Sequence, residues 1–120
     1  MKARNLIDLE DIGLEDIDEI IHLAGMIKAN PSIFTDACHG KIMATLFYEP
    51  STRTQMSFKT AMLRLGGEVI GFDNPSNASV SKGESLKDTV RVVSNYADVL
   101  VMRNPVEGSA YAASLYSKSP

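Results

Sequence analysis

The stretch KIMATLFYEPSTRT, residues 41–54, decides the architecture. From Lys41 to Tyr48 its interior is nearly all apolar, with no polar alternation. A strand that alternates keeps one wet face. One that does not is buried on both faces, as in a parallel sheet covered by helices. Pro50 then fixes a turn, and Thr52 to Leu65 reads as a helix with Met56, Met62, Leu63 and Leu65 available to the core. Strand, turn and helix in that order open a βαβ unit.

The pattern repeats outward from there. Gly66-Gly67 ends the helix, since glycine tolerates a left-handed C-cap. EVIGF (68–72) is a second short strand, and DNPSNASVSK (73–82) is a polar loop. Ser85 to Ala97 is a helix carrying Leu86, Val90, Val93 and Ala97. DVLVM (98–102) is a third strand, and Glu107 to Ser117 is a further helix. Strands therefore begin at about 41, 68 and 98, which suits βαβ units of roughly 30 residues. Upstream, Leu14 to Ala29 is a helix with Leu14, Ile17, Ile20, Ile21, Ala24 and Ile27 on one face, read as core-packing. Asn30-Pro31 stops it. The expected fold is α/β, a parallel sheet with helices on both faces in three layers.

Composition narrows the function. The chain has 120 residues, 44% apolar and 22% charged, with a net charge of −3. That fits one globular domain able to bury a core. It carries no bulk attraction to nucleic acid or an anionic membrane, so any anion site must be local. Cys38 is the one cysteine and His22 and His39 the two histidines, too few for a four-ligand zinc site. Neither metal nor cofactor is expected. Cys38-His39 is set aside as a nucleophile pair because adjacent side chains rarely point at each other. A lone thiol and an acidic, broken N-terminus, MKARNLIDLEDIG, place the chain in the cytoplasm. No apolar run approaches the roughly 20 residues that span a bilayer.

In a parallel sheet, ligands bind outside the carboxyl ends of the strands. After the first strand stands Glu49-Pro50-Ser51-Thr52-Arg53-Thr54. It offers hydroxyls, a guanidinium fork and the unsatisfied N–H groups of a helix start, an environment that suits phosphate. Serine and threonine before a helix are equally the preferred N-caps, so capping and phosphate binding both remain open here. After the third strand, Arg103 is either a surface arginine or a second cation converging with Arg53. After the second, Ser79, Ser81 and Lys82 form either a solvated loop or a lid that brings a lysine. A Walker-type glycine loop is absent.

FYEPSTRTQMSFKTAMLRLGG, then SVSKGESLKDTVRVVSNYADVLVMRNPVEGSA, resembles the aspartate carbamoyltransferase branch of the aspartate/ornithine carbamoyltransferase superfamily. The resemblance covers nearly the whole chain and is densest from Leu46 to Gly108. The Ser-Thr-Arg-Thr turn is shared with the ornithine enzymes. The Glu-Pro before it and Arg-x-Pro-x-Glu-Gly look more like the aspartate branch.

The resemblance implies transfer of a carbamoyl group from carbamoyl phosphate to L-aspartate, giving N-carbamoyl-L-aspartate and phosphate in pyrimidine synthesis. Carried over by motif, Ser51, Thr52, Arg53 and Thr54 hold the phosphate, and Thr54 and Arg103 reach the carbonyl oxygen. Ser79 and Lys82 serve a neighbouring subunit's site in a homotrimer, Lys82 also touching aspartate. Glu49 ties two domains together. Arg53, Thr54, Lys82 and Arg103 are the implied catalytic set, and a regulatory chain is a possible partner. Ser81 departs from a second lysine found in some members, and Asn104 from a histidine found in many. The family's His-Pro-x-Gln motif and aspartate-binding domain would lie beyond Pro120. Residues 1–120 are therefore expected to be a truncated carbamoyl-phosphate-binding domain, inactive alone. A non-catalytic anion-binding or assembly module, or a transferase for another acceptor such as ornithine, is the alternative.

Overall fold

The computed structural model describes residues 4–72 and 85–120. Its elements run α1 (Leu14–Ala29), β1 (Ile42–Phe47), α2 (Thr52–Arg64), β2 (Glu68–Phe72), α3 (Leu86–Tyr96), β3 (Val99–Arg103) and α4 (Ser109–Tyr116). Short 3-10 turns cover Leu9–Asp11 and Pro31–Phe34. The three strands are all parallel, in the order β2-β1-β3. The α/β architecture expected from residues 41–54 is the one observed, with element limits within a residue or two.

The central position of β1 follows from its composition. Met43 to Phe47 are all buried, whereas the flanking β2 and β3 hold no fully buried residue. Because β2 and β3 lie on opposite sides of β1, two right-handed crossovers must use opposite faces of the sheet. The side chains agree. Thr45 meets Gln55 of α2 on one face. Leu46 packs with Val90 of α3 and Ala113 of α4 on the other, flanked by Leu100, Met102 and Phe72.

Glycine is required at two close approaches. Gly66 ends α2 at φ 87°, and the Gly67 amide closes the turn onto the Met62 carbonyl at 3.0 Å. Gly71 sits at φ 135°, where any Cβ would collide with the Thr45 backbone. On the outer edge of β3, the Leu100 amide donates to the Pro120 carbonyl at 2.8 Å.

One expectation is corrected. The helix Leu14–Ala29 forms as read, capped at Asn30, but it buries none of its residues. Leu14, Ile20 and Ile21 stand exposed. Among the described residues α1 touches chiefly the turn Pro31–Phe34 that follows it. Likewise only Met62 of the four apolar residues assigned to α2 is buried, while Met56 and Leu63 are exposed. A thirteen-residue helix on a three-stranded sheet has only one face to bury.

Candidate anion site at the carboxyl ends of β1 and β3

The turn after β1 brings Glu49, Pro50 and Ser51 over the sheet edge and starts α2 at Thr52. Ser51 occupies the N-cap position, yet its side chain makes no capping hydrogen bond. Ser85 shows the contrast, since its hydroxyl accepts the Asp88 amide at 3.1 Å and caps α3 in the ordinary way. The Ser51 Oγ instead accepts from Nη1 of Arg103 at 2.8 Å. The Gln55 amide returns to the Ser51 carbonyl at 3.0 Å. The amides of Thr52, Arg53 and Thr54 are thus left as helix-start donors with no capping side chain.

Arg103 ends β3 and is held by the ladder, its carbonyl accepting the Tyr48 amide at 2.8 Å. Its Nε donates to Glu49 Oε1 at 2.7 Å, so the guanidinium, though partly exposed, is held beside the turn. Arg53 is exposed and has no ion pair among the described residues. Thr52 is exposed, and Ser51 and Thr54 are half-buried. The site therefore combines one uncommitted guanidinium, one pre-oriented guanidinium, two or three hydroxyls and the positive end of α2. That set can take a tetrahedral dianion and add donors toward a neighbouring oxygen.

The structure brings together Glu49, Ser51, Thr52, Arg53, Thr54 and Arg103. Ser79, Ser81 and Lys82 lie outside the described residues. Glu49, which the resemblance assigns to an interdomain tie, pairs here with Arg103. Asn104 turns its Oδ1 back to accept the Val106 amide at 2.9 Å, which spends it on the turn into α4. The bond between Ser51 and Arg103, 52 residues apart, was not anticipated. Among the described residues no cluster of three or more His, Cys, Asp or Glu could hold a metal. No helix of the described residues is long and apolar enough to cross a membrane.

The family model described as aspartate/ornithine carbamoyltransferase, carbamoyl-P binding domain, matches residues 4–120. The chain belongs to the aspartate/ornithine carbamoyltransferase family. An aspartate carbamoyltransferase catalytic subunit of Clostridium perfringens is 57% identical over 120 residues, all of this chain and 39% of that protein. Among solved structures, the catalytic subunit of M. jannaschii aspartate transcarbamoylase superposes with a TM-score of 0.91 at 52% identity, covering 98% of this chain and 40% of that one. Aspartate transcarbamoylase from Trypanosoma cruzi, in complex with carbamoyl phosphate and aspartate, superposes at 0.88 with 37% identity, covering 98% of this chain and 39% of that one. This carbamoyltransferase-family chain thus spans about two fifths of the length of the relatives it matches.

The Glu49–Arg103 pair makes a prediction at this site. Both partners are partly exposed, so the pair itself is worth about 0.2–1 kcal/mol. An anion that recruits Arg103 competes with Glu49 for the same guanidinium charge. Glu49→Gln should therefore tighten phosphate binding about two- to fivefold, an effect of the size of that pair energy. Calorimetric titration of both proteins checks it, and equal or weaker affinity in the variant would contradict the competition.

Proposed function

We propose that this chain binds carbamoyl phosphate, as the carbamoyl-phosphate-binding part of an aspartate carbamoyltransferase. The observation that carries the reading is the uncapped start of α2. Ser51 gives its hydroxyl to Arg103 and leaves the first-turn amides for a ligand. The phosphate would sit on Ser51, Thr52, Arg53 and Thr54, with Arg53 donating as a fork. Arg103 and Thr54 would aim at the carbonyl oxygen.

The chemistry suits such donors. As the aspartate amine attacks the carbonyl carbon, charge grows on its oxygen and then on the departing phosphate. Fixed donors aimed at both lower the barrier, and removing one such donor commonly costs about 2.7–4 kcal/mol. Positioning of the two substrates supplies much of the rest. The fork of Arg53 stabilises the leaving phosphate, and no covalent enzyme intermediate is needed.

In this reading Ser79 and Lys82 act on a neighbouring subunit's site within a cytoplasmic homotrimer, with or without a regulatory chain. Lys82 would bridge phosphate and aspartate. Residues that bind aspartate would come from polypeptide beyond these 120, in keeping with the share of the relatives' length that the chain covers.

Titration of the chain with carbamoyl phosphate, phosphate and L-aspartate separately tests the proposal. Carbamoyl phosphate and phosphate should bind competitively, and aspartate alone should not bind. Saturable aspartate binding without phosphate binding would overturn it.

A further inference from the structure

Gln55 is the fourth residue of α2 and points at the sheet, only 4% exposed. Its Nε2 donates to Thr45 Oγ1 at 3.3 Å and to the Phe72 carbonyl at 3.4 Å, so both N–H bonds of the amide have acceptors. Thr45 is fully buried at the middle of β1, and its hydroxyl lies 3.5 Å from the Ile70 carbonyl of β2. Gly71, between Ile70 and Phe72, leaves room for this meeting because it has no side chain to strike Thr45.

An amide in such a place carries a desolvation cost that methionine, of similar size, would not. Stability alone gives little reason for glutamine there. Its geometry gives another. Gln55 follows directly on the anion turn and ties α2 to β1 and to the end of β2. Ser51, at the other end of the turn, is tied by Arg103 to β3. The turn is pinned at both ends, to all three strands.

We infer that Gln55 is a positioning residue for the anion site. It touches no ligand; it sets the height and rotation of the first turn of α2, and with them the direction of the Thr52, Arg53 and Thr54 amides. The inference rests on the phosphate reading above. Donors of an anion site must be held within about half an ångström, so loss of one anchor weakens binding without unfolding the domain.

The test is phosphate titration of the 120-residue chain and its variants, well below their melting temperatures. Gln55→Met should lower affinity about tenfold, while the ligand-free protein stays folded at the titration temperature even though the Phe72 carbonyl loses a donor. Thr45→Val, which removes one anchor and keeps the shape, should lower it in the same direction and covers the case in which Gln55→Met fails to fold. Leu46→Ala is the control, losing stability while its folded protein keeps full affinity. Full affinity in folded Gln55→Met, or in folded Thr45→Val if Gln55→Met does not fold, overturns the inference. Arg53→Ala separates the two readings. If Arg53→Ala binds as well as the unaltered chain, the phosphate reading falls and takes this inference with it. If Arg53→Ala loses binding while Gln55→Met keeps it, the inference alone falls.

Discussion

Arg53→Ala should abolish the protection that phosphate or carbamoyl phosphate gives this domain against heat. A ligand that binds only the folded state adds about 2.7 kcal/mol at a hundredfold excess over its Kd. For a domain of this size that is on the order of ten degrees in melting temperature. Arg53 is exposed and has no ion pair of its own among the described residues, so the substitution breaks no salt bridge there. It should remove two charge-assisted hydrogen bonds to the anion, at about 1.5–3 kcal/mol each. Affinity then drops by about two to four orders of magnitude, and at most a few tenths of a kcal/mol of protection is left at the original ligand concentration. The ligand-free melting temperature should stay within about two degrees, because surface substitutions are usually within about 0.5 kcal/mol. Undiminished protection in the variant would remove Arg53 from the site.

Leu46→Ala should be a strongly destabilising truncation of the core. Leu46 is 1% exposed at the centre of the sheet and packs between Val90 of α3 and Ala113 of α4. Removing its branched end costs the transfer energy of three carbons and leaves a cavity that two helices and a strand cannot close. Such Leu→Ala changes cost about 2–5 kcal/mol. Against a total stability of about 5–15 kcal/mol, that is a large share. Chemical denaturation should show the midpoint falling while the slope is kept. A loss below about 1 kcal/mol would mean that α3 and α4 are held elsewhere.

The fold was legible because β1 is. Five consecutive buried residues can be satisfied only by cover on both faces, and α2 on one face with α3 and α4 on the other supply it. The fate of α1 was not legible. Periodicity reveals that a helix has an apolar face, but nothing about what lies across from it. Ser51 shows the same limit at the site. A serine before a helix can cap or can serve a ligand, and the choice turns on Arg103, far along the chain. Gln55 escaped notice because glutamine is a common surface residue of helices. Its role shows only once Thr45 and Phe72 are placed beneath it.

The Glu49–Arg103 contact has a bearing on selectivity. Arg103 meets an incoming anion with its Nε on a carboxylate at 2.7 Å and its Nη1 on a hydroxyl at 2.8 Å, and its Nη2 makes no hydrogen bond among the described residues. Glu49 already offsets part of the guanidinium's charge, so an incoming ion does not meet a bare cation. Chloride or another singly charged ion gains less from a guanidinium offset in this way. A doubly charged phosphate brings more charge and more acceptor oxygens. In the phosphate reading the carboxylate would therefore act as a threshold, weighing more against singly charged ions than against a phosphate dianion.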